Sequence, residues 1–285
     1  MSTGENEFKQ WIGRTETACD DLTVAPILAM SAMLDKESQA YAEGDQLPPL
    51  WHWLFFLNPA KQSNLAKDGH PERGDFLPPI PLPRRMWAGS RFDFHHPLCI
   101  GENISRQSTI KNITFKEGRS GKLAFVCVRH EISNLHGLAI SEEHDIVYRS
   151  HAPADTSPSL SKPAPQNCDF SKSVNPDPVL LFRYSALTFN GHRIHYDRDY
   201  VTQEEGYPGL IVHGPLLATL MVELFVDRFP EKQLTKFEFT AMEPVFDLDP
   251  FQVCGLNPNK INATELWIKN HTGSLCMKGL ATISQ

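Results

Sequence analysis

The sequence predicts an α+β fold built from two similar halves, and three observations point to it. In each half, strand-like runs separated by turn chemistry follow a short helical or apolar segment. Between the halves, residues 151–178 are rich in Pro, Ser, Ala, Asp and Lys and poor in large apolar side chains, the composition of an extended connector. One helix of the second half, opening at Gly214-Pro215, is apolar nearly all round and so belongs in a core. The expected spans are 1–150, a linker 151–178, and 179–285.

In the first half, Val24, Ile27, Leu28, Met30 and Leu34 mark a short helix of mixed faces. Leu50 to Leu57, LWHWLFFL, is strongly apolar but no long apolar helix follows it, so this half reads as a degenerate copy of the second. Trp51, Trp53, Phe55 and Phe56 are candidates to line a ligand pocket, and core packing accounts for at least half of them. A proline-rich stretch to Pro83, ending at Arg84 and Arg85, reads as a lid or lining element because aromatic and apolar residues flank it. Strands are expected at 87–95, 103–115, 122–132 and 138–148, with turns at 101–102, 117–121 and 134–137. Antiparallel pairing follows.

In the second half, Leu216, Leu217, Leu220, Met221, Leu224 and Phe225 recur at helical spacing, and Ala218, Val222 and Val226 make the opposite face apolar. Pro215 suits a first helical position, where its missing amide hydrogen would be unsatisfied anyway. Gly214 then lies where free N–H groups and the helix dipole favour an oxyanion. Strands are expected near 233–246, 250–257, 262–269 and 275–284.

Composition narrows the function. A formal charge of −7 argues against nucleic acid or an anionic membrane as the main partner. Six cysteines without CxxC spacing or a Cys/His cluster argue against a disulfide framework and a zinc site. No run approaches the roughly 18 apolar residues of a membrane span. The opening residues have neither the apolar core of a secretory signal nor the arginines of a transit peptide, so the cytoplasm is the expected location.

Chemistry concentrates in F-N-G-H-R-I-H-Y-D, residues 189–197, and in G-L-I-V-H-G, residues 209–214. These segments resemble the (R)-specific enoyl-CoA hydratases, or MaoC-like dehydratases, which carry D-x-N-P-L-H-x-D followed by P-I-x-H-G at the start of a central helix. Without a gap, Asn190 stands at the first Asp, His192 at the Asn, His195 at the catalytic His and Asp197 at the last Asp. P-P-L-W-H-W-L near 50 and F-L-P-P-I-P-L-P-R-R-M-W-A-G near 80 resemble a narrower branch. That branch holds itaconyl-CoA and mesaconyl-C4-CoA hydratases and 3-hydroxyacyl-thioester dehydratases, and the resemblance runs from about Trp11 to the C-terminus. It implies a double hotdog: two antiparallel sheets, each wrapping a helix, with the first helix reduced.

The resemblance implies a hydro-lyase converting itaconyl-CoA or mesaconyl-C4-CoA to citramalyl-CoA. A 3-hydroxyacyl-thioester dehydratase, or enoyl-CoA hydratase, of fatty-acyl metabolism is the alternative. Such a reaction needs a base for water and a donor for the enolate oxygen, the roles expected of His195 and the Gly214 amide. Asn190 departs from the family because an amide cannot take a proton; it can orient the water or the imidazole. For a dicarboxylic substrate, Arg193 and Arg183 are candidate carboxylate ligands, with His192 beside them. His213 is expected to brace the loop or meet substrate, and Asp197 to brace the motif. Arg84, Arg85, Arg119 and Lys122 are candidates for the nucleotide end of coenzyme A, which enters as part of the substrate; no metal or redox cofactor is implied. A thioesterase using Glu223 or Asp227 and a non-catalytic acyl-CoA-binding protein are the readings from other classes. A monomer satisfies a double hotdog, and free sheet edges permit a homodimer.

Overall fold

The computed structural model of the protein describes residues 7–36, 41–118, 121–150 and 161–284; Arg119 and residues 151–160 of the expected linker lie outside them. The first half contributes β1 (Thr15–Asp21), β2 (Arg84–Phe94), β3 (Asn103–Gly118), β4 (Gly121–Asn134) and β5 (Gly137–Arg149). The second contributes β6 (Phe170–Val174), β7 (Leu234–Ala241), β8 (Phe251–Gly255), β9 (Ala263–Lys269) and β10 (Leu275–Ile283). All pair antiparallel in the order β1-β3-β4-β5-β2-β7-β10-β9-β8-β6, so matching strands of the two halves occupy matching places. The two expected sheets are thus halves of one ten-stranded sheet.

At the seam, Phe92 of β2 pairs with Phe237 of β7, and Gly89 with Thr240. A Cβ on Gly89 would lie 2.3 Å from the Phe239 carbonyl oxygen, so glycine lets the halves close here. One core cluster runs across the seam, from Ile27 and Trp51 to Phe225 and Phe237.

Among the described residues three complete α-helices accompany this sheet: α1 (Val24–Met33), α2 (Pro178–Leu187) and α3 (Gly214–Arg228). α1 and α2 hold equivalent places in the two halves and touch each other. Where α3 fills the second half, the first has a single 3-10 turn, Trp51–Leu54, which is the reduced helix. α3 buries Leu216, Leu217, Ala218, Met221, Val222 and Phe225, each large side chain contributing about 1.5–3 kcal/mol. Its buried charged residue is Glu223, whose Oε1 accepts from Trp51 Nε1 at 2.7 Å and whose carboxylate pairs with Lys36. Burial pushes the Glu223 carboxyl up, against the pull of Lys36 and Trp51. Trp51, Phe55 and Phe56 are core residues, and Trp53 packs against them while its Nε1 donates to Glu142 at 3.3 Å. The pocket-lining role therefore does not apply to the three buried aromatics.

The strands expected from 87 to 148 and from 233 to 284 appear within a few residues of their expected bounds, although β7 ends at Ala241 rather than near 246. Three elements were not anticipated. β1 and β6 are sheet edges with mostly polar sequences, TETACDD and FSKSV, and β6 lies inside the span read as linker. Pro163 also bridges to Ser274, so residues beyond 162 belong to the second unit. α2 starts with Asp177 accepting from the Leu180 amide at 2.8 Å and Pro178 at its first turn, a start signal visible in the sequence. Among the described residues no helix is long and apolar enough to cross a membrane.

Candidate active site

The motif is a loop between α2 and α3, and local hydrogen bonds fix its course. The Asn190 amide donates to Ser185 O at 2.8 Å, and Asn190 Oδ1 accepts from the His192 amide at 3.0 Å, an Asx turn. A single 3-10 turn, Arg193–His195, then delivers His195 inward. Asp197 accepts from Arg193 Nε at 3.0 Å and from the Tyr200 amide at 3.0 Å, and so braces the loop.

His195 is 7% exposed. Its Nδ1 lies 2.7 Å from Ile211 O. A carbonyl can only accept, so Nδ1 carries the proton and Nε2 keeps a lone pair. Burial pulls the His195 pKa down to about 4, against the opposing hydrogen bond to Ile211. His195 is therefore a neutral imidazole at pH 7.

Its ring stacks on His213 at 3.7 Å between centroids and 19° between planes. His213 is 0% exposed, its Nε2 is 2.8 Å from Ser185 Oγ, and burial holds its pKa well below the ordinary value. This placement goes against the substrate contact expected of it and agrees with a bracing role. The next residue, Gly214, opens α3, and its N–H has no acceptor among the described residues. Nothing lies within 4 Å of the position a Gly214 Cβ would take, so there is open space on that side of the residue.

The first-half loop expected as a lid or lining element also reaches this site, and it brings Asp68 and His70, which the sequence reading did not single out. Residues 66–70 press against the motif so closely that a Cβ on Gly69 would lie 1.9 Å from Gly191 O. The Arg193 amide donates to Asp68 O at 2.9 Å. His70 Nδ1 lies 3.0 Å from Asp68 Oδ2, and the His70 ring is 4.1 Å from His192. His192 in turn is 5.4 Å from His195 with the rings at 89°. Two imidazole pairs, His195 with His213 and His192 with His70, thus meet edge to face.

Burial and the neighbouring imidazoles keep His192 neutral, and burial does the same for His70. Burial opposes the Asp68 anion, but hydrogen bonds from the His70 ring and backbone hold its carboxyl well below the ordinary value. Asp68, His70 and His192 also bring one ligand atom each to within 4.8 Å of one another, a spacing that a divalent cation could use.

The arginines separate by what they touch. Arg193 is bound to Asp197 and Lys67 O and lies over the Tyr200 ring at 4.1 Å, so its guanidinium is engaged in bracing. Arg84 pairs with Glu205 at 3.3 Å and lies over Tyr207. Arg183 is exposed on the outer side of α2. These placements set all three against the substrate contacts expected of them. Arg85 is half-buried, has no acidic partner among the described residues, and its charge bears on His70 and His192. Lys122 is exposed on β4. Glu223 lies toward the far end of α3 from Gly214, held by Lys36 and Trp51, and so does not serve a thioesterase at this site.

Fold and site together define a double-hotdog enzyme acting on acyl thioesters. A MaoC-like dehydratase from Phytophthora capsici superposes with TM-score 0.70 over 99% of both chains at 13% identity. A Mycobacterium tuberculosis protein described as a double hotdog gives 0.59 over 96% of both chains at 12% identity. Residues 50–247 match the family described as hydroxyacyl-thioester dehydratase type 2. The chain is 51% identical to a mesaconyl-C(4)-CoA hydratase of Chloroflexus aurantiacus over 247 residues, 87% of this chain and 88% of the relative. It is 31% identical to a mitochondrial hydroxyacyl-thioester dehydratase type 2 of Schizosaccharomyces pombe, over 90% of this chain and 93% of the relative. The chain belongs to the hydroxyacyl-thioester dehydratase type 2 family and is a hydro-lyase.

Proposed function

We propose that this chain hydrates mesaconyl-C4-CoA to citramalyl-CoA, with His195 as the base and the Gly214 amide as the donor to the enolate oxygen. The observation that carries the substrate is the 51% identity to the Chloroflexus hydratase across most of both chains. That stretch is long enough to take in both the first-half loop and the motif.

The geometry supports the roles. The free Nε2 of His195 takes a proton from water as the water oxygen bonds to the β-carbon. The π electrons move onto the thioester oxygen, where the unpaired Gly214 N–H and the dipole of α3 stabilise charge. His195 then returns the proton to the α-carbon. Asn190 has its Oδ1 turned to the His192 amide, so its part is to shape the loop that aims His195.

Mesaconyl-C4-CoA carries its free carboxylate on the β-carbon, where water adds. Its cation must therefore lie beside the histidines, and Arg85 answers that need better than the engaged Arg84 and Arg193 or the exposed Arg183. Itaconyl-CoA would use the same site once His195 has moved its double bond into conjugation. The test is mass analysis after incubation with mesaconyl-C4-CoA: gain of one water supports the reading. Release of free coenzyme A thiol, or an unchanged thioester, contradicts it.

A further inference from the structure

We propose that His192 is the second water-holding group of the site, and that Asp68 and His70 of the first half position it. The proposal rests on the hydratase reading above and deepens it. A water whose oxygen is aimed at the β-carbon has two hydrogens to place, and each needs an acceptor. His195 Nε2 is one. In the related motif a carboxylate stands where this chain has Asn190, but the Asn190 oxygen is turned to the His192 amide at 3.0 Å, and its NH2 group can only donate.

An acceptor beside His195 is an imidazole nitrogen of His192. Its ring centroid lies 5.4 Å from that of His195, edge to face, so the two imidazoles are neighbours in one place. The position of His192 is set from behind. His70 lies against it at 4.1 Å, and Asp68 fixes His70 through the ring at 3.0 Å and the backbone amide at 3.0 Å. This repeats the backing of His195 by His213, which Ser185 anchors at 2.8 Å. Each imidazole that faces the water thus has another behind it, tied to an oxygen.

In the reaction, His195 takes one proton of the water and later delivers it to the α-carbon, while His192 accepts the other hydrogen bond and gains no proton. His192 is then catalytic, and Asp68 and His70 are positioning residues. The first half, which lacks a motif of its own, supplies this support to the second.

The test is steady-state hydration of mesaconyl-C4-CoA and crotonyl-CoA, read on whichever turns over faster, with circular dichroism to verify folding. His192→Ala is expected to lower kcat about 100-fold with KM nearly unchanged. His192→Gln keeps an acceptor oxygen and should recover part of that loss. His70→Ala and Asp68→Asn should each lower kcat about tenfold, and Asp68→Asn preserves an accepting oxygen if His70→Ala folds poorly. The double variant His70→Ala/His192→Ala should be no slower than His192→Ala alone, because His70 acts through His192. A merely structural part for His70 would make the losses multiply, and that result overturns the proposal. So does a His192→Ala enzyme within about fivefold of wild type, or a wild type that chelator inactivates and zinc restores, since the three side chains would then hold a cation. Failure of the hydratase reading has a different signature: the wild type itself would leave both enoyl thioesters without added water.

Discussion

Gly69→Ala isolates the contact by which the first half reaches the motif. Gly69 has φ +88°, and its Cβ would lie 1.9 Å from Gly191 O, against an ordinary contact of at least 3.4 Å. The left-handed backbone alone costs an alanine about 1–2 kcal/mol. Relieving the overlap needs the two loops to part by about 1.5 Å, and displacement of catalytic groups on that scale costs about 100-fold in rate. Gly13→Ala is the control: φ is +87° with nothing within 4 Å of its Cβ, so it carries the backbone cost without the clash. Urea unfolding and enoyl-thioester hydration would be followed for both. Gly69→Ala should lose more stability than Gly13→Ala and most of its kcat, while Gly13→Ala keeps wild-type turnover. Equal stability losses, with kcat of Gly69→Ala within about twofold of wild type, would refute the reasoning.

Acid should destabilise the fold between about pH 6.5 and 4. His195 and His144 titrate near 4 and His130 near 3 in the folded chain, all held down first by burial, against 6.5 as the ordinary value. The unfolded chain binds more protons in that window, so their stabilisation is complete above the window and is lost as pH falls through it. His195 alone accounts for up to about 3 kcal/mol, and a urea midpoint that stays constant from pH 7.5 to 4.5 would contradict this. Arg85→Ala should raise KM for mesaconyl-C4-CoA about 10–100-fold while leaving crotonyl-CoA nearly unaffected, since a charged hydrogen bond is lost only with the dicarboxylic substrate. Equal effects on both substrates would remove Arg85 from carboxylate recognition. Trp51→Phe takes the 2.7 Å donor from buried Glu223 and should cost about 1–3 kcal/mol in thermal or urea unfolding without changing KM.

The sequence made some of this legible and hid the rest for physical reasons. Turn residues bracket the long strands, and α3 is apolar nearly all round, so those elements could be read directly. His195 and Gly214 stood out because both lie in one local pattern. The edge strands β1 and β6 did not, because their pairing is held by backbone hydrogen bonds rather than apolar side chains. Asp68 and His70 lie more than 100 residues before the motif, in a loop that spacing alone marks only as a lid. The one clue was a carboxylate and an imidazole flanking a glycine, D-G-H at 68–70, where a close backbone approach would require that glycine. Which arginine is free could not be read at all, since it depends on partners such as Glu205 and Asp197 that only the fold brings near.

The central claim, that the chain adds water to mesaconyl-C4-CoA through His195, is tested most directly by enoyl-thioester ultraviolet absorbance. Purified wild-type protein and His195→Ala would be followed with mesaconyl-C4-CoA and with crotonyl-CoA side by side. The account predicts rapid loss of the conjugated signal with mesaconyl-C4-CoA, slower loss with crotonyl-CoA, and at least about a 100-fold fall in both on His195→Ala. Preference for crotonyl-CoA would contradict the dicarboxylic substrate, and an active His195→Ala enzyme would contradict the base.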